Sequence, residues 1–350
     1  LAFKPLYAKD TMSGHHSDAG TTGTVHRAWI APLVTALVIG MAFVAVYVGL
    51  QRDPEPDRIP VAVVGATLQH DVATGLGDRV AVTEVPALRA GRSLVRDGAA
   101  VAVLSADEPG TMRVEYASAA GLSESGAVRE LAQGFATTAH LRVTEEDIVP
   151  LVRYDSRGLV SFYVVFGVTL SSFVLAQSLS GNAARVRLRH RLLALAGFAV
   201  LIGIAAAVLA GPVYGAVNIS FPLLAGILVL LSAASAFGTK ALVTWLGPIG
   251  IGIAVLTLTV AGNATSGASI GFDLLPKWAQ ILSDVLPQGA AVRALQSAGY
   301  FDGSSVWPSV LVLGCWAAVG FGLVVLHGTR AARTRRRARP EGPAHLAPSV

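Results

Sequence analysis

Six stretches of the sequence run for 19 to 25 consecutive residues without a single Asp, Glu, Lys or Arg: 29–50, 159–179, 192–210, 213–237, 241–262 and 306–327. About 20 apolar residues in a helix cross a hydrocarbon core of about 30 Å. Within that core every backbone polar group must be satisfied internally, and a helix does this within one segment. Only 14% of the 350 residues are charged, 53% are hydrophobic, and the mean hydropathy is +0.59. A water-soluble globule clothes itself with about 25% charged residues. The expectation is a polytopic α-helical membrane protein with about six transmembrane helices.

The first stretch, 29–50, follows Arg27 and precedes Gln51-Arg52-Asp53. It is longer than the apolar region of a signal peptide and lacks an Ala-x-Ala site, so it reads as a retained anchor. Residues 1–28 read as a polar cytoplasmic tail; Met12 offers an alternative start, and His15-His16 reads as solvated.

Charge is distributed unevenly. Residues 51–157 carry 11 Arg against 16 Asp or Glu, a net of −5. The loop between the second and third stretches carries Arg185, Arg187, Arg189 and Arg191 and no acid. The tail 328–350 carries six Arg (330, 333, 335, 336, 337 and 339) against one Glu. These clusters sit beside apolar runs, which is the positive-inside pattern of a membrane protein. A nucleic-acid binder would instead carry a basic face on a soluble domain, so no nucleic-acid partner is expected. With six spans, an N-terminus inside places all the basic segments, and Lys240 between the fourth and fifth spans, in the cytoplasm. The location implied is the cell membrane, multi-pass, with both termini cytoplasmic.

Residues 51–158 then form a domain inserted between helices 1 and 2, outside the cytoplasm. Strand patterns occur at 59–65, 80–85, 99–104 and 111–116, and helix patterns at 87–97 and 123–140. That alternation predicts a small mixed α/β extracytoplasmic domain. His70, Asp71 and His140 form no recognisable catalytic set, with no nucleophile elbow and no His-Glu-x-x-His. Glu145-Glu146-Asp147 reads as a solvated acidic turn. Cys315 stands alone in an apolar run, so neither a disulfide nor a thiolate metal site is expected of it. No cofactor is expected.

Residues 263–305 are too long for a simple turn. Trp278, Ile281, Leu282, Val285 and Leu286 give one apolar helical face, Pro287-Gln288-Gly289 breaks it, and a second short helix runs to Tyr300-Phe301. This external hairpin lies at the interface or dips into the bundle, with Trp278, Tyr300 and Trp307 at headgroup level. Ser232, Ser235 and Gly238, and Gly247, Gly250 and Gly252, are small residues suited to close helix packing. With no charge inside any span, proton relays and ion coupling are disfavoured. No phosphate-binding Gly-x4-Gly-Lys-Ser/Thr loop is present, so the chain has no ATPase of its own by that route and is not read as an enzyme.

One span, a large external domain, then five spans with a broken external hairpin before the last resembles the ABC type-2 permease superfamily, most of all its YhgE/Pip-like branch of bacterial membrane proteins. Three stretches carry the resemblance: 87–104 (ALRAGRSLVRDGAAVAVL), 151–180, and 286–303 (LPQGAAVRALQSAGYFDG), which is similar to the family's Leu-Pro-x-Gly…Tyr-Phe motif. It covers about residues 29–327. The resemblance implies a homodimeric permease subunit that exports a hydrophobic or amphipathic substrate, energised by a separate ABC ATPase chain. It makes Arg185, Arg187, Arg189 and Arg191 an ATPase-coupling loop, and Trp278, Leu286, Pro287, Gly289, Tyr300 and Phe301 an external gate. The alternative is a non-transporting scaffold or receptor whose external domain binds an envelope component or a protein.

Overall fold

A computed structural model describes residues 30–52, 54–182, 185–303 and 306–337. The tail with Met12, His15 and His16, and Arg339 near the other terminus, lie outside the described residues.

The chain opens with α1 (Ile30–Gln51) and enters a sheet domain: β1 (Ile59–Val64), α2 (Ala66–Leu76), β2 (Val80–Val85), α3 (Leu88–Arg96), β3 (Ala102–Glu108), β4 (Thr111–Tyr116), α4 (Leu122–Thr138) and β5 (Arg142–Asp147). The strand order is β2-β1-β3-β4-β5. β1 pairs in parallel with β2 and β3, β3 pairs antiparallel with β4, and β4 pairs in parallel with β5. The run Ile-Pro-Val-Ala-Val-Val of β1 is apolar on both sides because helices cover both faces of the sheet. Val72 and Leu76 of α2 and Val128, Ala132 and Ala136 of α4 pack on Val61, Val63, Leu104, Met112 and Val114. Val95 of α3 packs on the opposite face with Ala62, Val85 and Val103.

Two elements depart from the sequence expectation. α2 was not expected: only Val72 and Leu76 of its 11 residues are buried, too few to print a helical period. The acidic turn at 145–147 is instead the end of β5, whose burial simply alternates. There Glu145 pairs with Arg129 of α4, and Asp147 accepts the Ser118 amide at 3.2 Å.

The second half is a helical bundle: α5 (Val160–Gly181), α6 (Leu188–Val208, with a π-turn Leu209–Val213), α7 (Phe221–Leu246), α8 (Pro248–Ala264), α9 (Lys277–Val285), α10 (Pro287–Tyr300) and α11 (Val306–Arg337). Among the described residues five helices, α1, α5, α6, α7 and α11, are long and apolar enough to cross a membrane. Their outer faces carry Leu37, Met41, Leu193, Leu201 and Trp307, all at least 60% exposed. Apolar surface along whole helices needs a covering other than water. The chain is a multi-pass helical membrane protein.

The break expected at 211–212 falls a few residues later, at 214–220, and the one expected at 238–240 does not occur. α7 starts at Phe221, after Ser220 and with Pro222 in its first turn, and continues through Lys240 to Leu246. Lys240 therefore lies inside an apolar helix, 3% exposed, and not in a loop. Gly247, at φ 62°, ends α7. A Cβ on Gly250 would overlap the Leu242 carbonyl of α7, so this glycine lets α8 turn back tightly against the end of α7. α8 is the stretch expected as a sixth full span; its 17 residues measure about 25 Å. It still runs the depth of the bundle, from that turn to Ala264, which packs in the sheet-domain core with Leu50.

α7 is the central helix of the bundle. Added Cβ atoms on Gly203 of α6 and Gly320 of α11 would sit 2.6 Å and 2.7 Å from the α7 backbone, at Val229 and Phe237. Small residues let helices approach this closely in lipid.

Candidate functional site

The 263–305 segment folds as a re-entrant hairpin between the sheet domain and the bundle. α9 starts beside the sheet domain, where Ala279 joins its core, and descends to Val285. Pro287 opens α10, which climbs back to Tyr300. The depth of the tip is set by Trp316, whose indole N–H donates to the Val285 carbonyl at 2.7 Å. Trp316 stands ten residues into α11, about 15 Å along it. Gly289 permits the tight reversal, since a Cβ there would overlap the Ser283 carbonyl. Arg293 of α10 straps the two arms, donating to Ser283 Oγ at 3.0 Å and to its carbonyl at 3.2 Å, with Asp284 at 3.4 Å.

The hairpin residues singled out from sequence therefore separate. Leu286, Pro287 and Gly289 are buried at the tip. Phe301 is buried in the sheet-domain core against Val95 and Val103. The Tyr300 hydroxyl accepts the Val152 amide at 3.4 Å, so this ring ties α10 to the end of the sheet domain. Trp278 alone is widely exposed, at 53%.

A column of buried polar side chains, which reading for charge alone overlooked, runs through the bundle. Ser172 and Ser232 share a hydrogen bond at 2.7 Å, and Lys240 Nζ donates to Ser180 Oγ at 2.8 Å. Both pairs are 60 residues apart in sequence, so α5 and α7 lie parallel in one register with the pairs about 12 Å apart. Between and around them, Thr169 Oγ1, Ser235 Oγ and Thr239 Oγ1 are buried with no partner in the protein. Towards the sheet domain, Thr259 Oγ1, Asn263 Oδ1 and both amide atoms of Gln288 are in the same condition. Gln288 sits at the hairpin tip directly over Gly262, where a Cβ would overlap its Oε1. Thr259 lies in the π-helical segment Val255–Ala261 of α8, a local irregularity of the kind that recurs at functional sites. Each unpaired buried polar group costs about 1–3 kcal/mol. The legible signals were the Thr-Leu-Thr-Val-Ala-Gly-Asn run 257–263 and the Gln of Pro-Gln-Gly.

At the other end of the bundle the four arginines also separate. Arg187 caps the start of α6, and Arg189 and Arg191 lie in its first turn. Arg185, Arg187 and Arg191 line a cavity of about 730 Å³ together with Lys240 and His327, while Arg189 is exposed outside it. His70, Asp71 and His140 are exposed on the sheet domain. Cys315 is a free, exposed thiol on α11. Among the described residues no group of three or more His, Cys, Asp or Glu side chains is placed to hold a metal ion.

The chain matches no family model, no curated protein and no solved structure.

Proposed function

We propose that this chain is the membrane permease subunit of an ABC-type exporter, moving a hydrophobic or amphipathic substrate outward with energy from a separate ATPase chain. The observation that carries this reading is the set of buried hydroxyl and amide atoms without a partner in the bundle, Thr259, Asn263 and Gln288 towards the sheet domain and Thr169, Ser235 and Thr239 along the α5–α7 seam that ends at the Lys240–Ser180 pair. In lipid such groups are retained against a stability cost only where they face one another, water or a polar ligand. A broken α8 and a re-entrant hairpin at that depth are the devices by which transporter bundles present polar groups inside a membrane.

In this reading the basic end is cytoplasmic and the sheet domain and hairpin face outward. The hairpin is the outer gate. The exposed Arg185, Arg187 and Arg189 form the contact surface for the ATPase. Asp284, with its side chain 60% exposed, and Arg293 lie beside the hairpin tip. A charge pair at that depth calls for a water-filled cavity or a second copy of the chain, which supports a homodimer with its path between the copies.

The test is nucleotide hydrolysis by the chain purified from its native membrane. The reading expects ATP hydrolysis to co-purify with the wild type and to be lost when Arg185, Arg187 and Arg189 are all changed to Gln at equal expression. Hydrolysis absent from the wild type, or unchanged in the triple variant, contradicts energising by a partner bound at this loop and leaves the scaffold reading in its place.

A further inference from the structure

The basic-end cavity has a chemistry that transport does not explain. It is lined by the ammonium of Lys240, a residue 3% exposed, whose side-chain acceptor among the described residues is Ser180. Arg191 enters from the side with its Nε buried and unpartnered. Arg185, Arg187 and His327 of α11, all exposed, complete its basic lining. Among the described residues no carboxylate lines it. The sequence has no Asp or Glu at any position from 156 to 272, and none in α11, so the helices that build the cavity supply no counter-ion.

Buried cations are ordinarily paired, because desolvating a charge without compensation is costly. The first turn of α6 sharpens the point. Arg189 and Arg191 occupy the end of a helix where the macrodipole already favours negative charge, and the Arg187 side chain caps nothing there. Unpaired amides at a helix start, a guanidinium fork and an ammonium together recognise a phosphate group. Val186, Leu188, Val243 and Val324 give the lining an apolar part, suited to the start of an acyl chain, beside Thr244, Gly328 and Ala331. The cavity lies at the end of the apolar spans, and its volume exceeds what a bare phosphate fills.

We infer that this cavity is a binding site for the phosphate of an anionic lipid headgroup, held by Lys240 and Arg191 with the exposed Arg187. Basic pockets between transmembrane helices take such headgroups. The inference stands independently of whether the chain transports anything.

The experiment uses the full chain in a neutral detergent, with lipid binding read by native mass spectrometry. Phosphatidylglycerol, phosphatidylcholine and inorganic phosphate are added in separate arms. The wild type should prefer phosphatidylglycerol over phosphatidylcholine. Lys240→Met and Arg191→Gln should each weaken phosphatidylglycerol binding by about five-fold, the loss expected for one basic residue at an anionic surface. Lys240→Arg, which keeps the charge, and Arg189→Gln, which removes the same charge outside the cavity, should bind as the wild type does. Lys240→Met trades a buried charge for an apolar side chain of similar length, so its fold is expected to persist, and an unchanged far-ultraviolet dichroism spectrum checks this. Equal binding of the two lipids, or phosphatidylglycerol binding indifferent to Lys240 and Arg191, overturns the inference. So does Lys240-dependent binding of inorganic phosphate without any lipid preference, which would assign the cavity to a free anion.

Discussion

Arg92 grips Glu115 with both arms of its guanidinium, Nε to Oε2 at 2.5 Å and Nη2 to Oε1 at 2.6 Å. Glu115 is fully buried in β4, while Arg92 reaches it from α3 and stays about one-third exposed. Arg113 stands further off, at 3.7 Å. Breaking a buried pair by removing one partner leaves an uncompensated charge and costs about 3–5 kcal/mol. Arg92→Ala is therefore expected to destabilise the sheet domain by about 3 kcal/mol, the lower end, because Arg113 remains nearby. Denaturant unfolding followed by the dichroism of the strands measures this, and Arg92→Lys should lose part of the same amount because an ammonium cannot make the bidentate contact.

Glu124 makes the junction between sheet domain and hairpin segment sensitive to pH. Its carboxylate accepts the Asp273 amide at 2.8 Å and packs on Gly271, whose φ of 98° no side chain would readily adopt. Burial, with the Asp273 carboxylate nearby, pushes Glu124 up to about 8. Burial, with Asp57 nearby, pushes Asp273 up to about 6. A carboxyl raised on docking stabilises the docked state while protonated. That contribution is complete below the ordinary carboxylate range near 4.5 and is lost as pH rises through about 8. Hydrogen exchange at residues 268–276, corrected for intrinsic rates, should therefore show protection falling between pH 5 and pH 8.5, about the window set by that shift. Glu124→Gln, which stays neutral, should flatten the decline that belongs to this group.

Gly203 allows α6 to lie against the α7 backbone at Val229. A larger side chain there must push the helices apart, and overpacking costs about 1–3 kcal/mol. Gly203→Val is expected to lower the midpoint of thermal unfolding in detergent. Gly197→Val on the same helix, where an added Cβ meets nothing within 4 Å, should not.

Much of the fold was legible because its signals are periodic. The strands at 80–85 and 111–116 print an alternation that sequence alone reveals, and they reappear with those bounds as β2 and β4. The spans were legible as uninterrupted apolar runs. Lys240 was misplaced because Gly-Thr-Lys looks like the end of a helix, whereas the stop lies at Gly247-Pro248. Its charge is tolerated inside α7 through Ser180, a residue 60 positions away that no local window connects to it. The polar column was missed for a related reason. Thr239, Asn263 and Gln288 are uncharged and barely dent a hydropathy average, and only the packing of separate helices reveals that their polar atoms are unpaired.

The proposed transport function makes this polar column a path and not a tightly packed seam. Thiols placed at Ser235, Thr239 and Thr259, one at a time in a Cys315→Ala background, can be challenged in intact membranes with a charged, membrane-impermeant thiol reagent. These positions are expected to react well above the rate of Ala199→Cys, which is buried in α6. Thiols at all three that stay as inert as the one at Ala199, in protein expressed and folded as the wild type is, would contradict it.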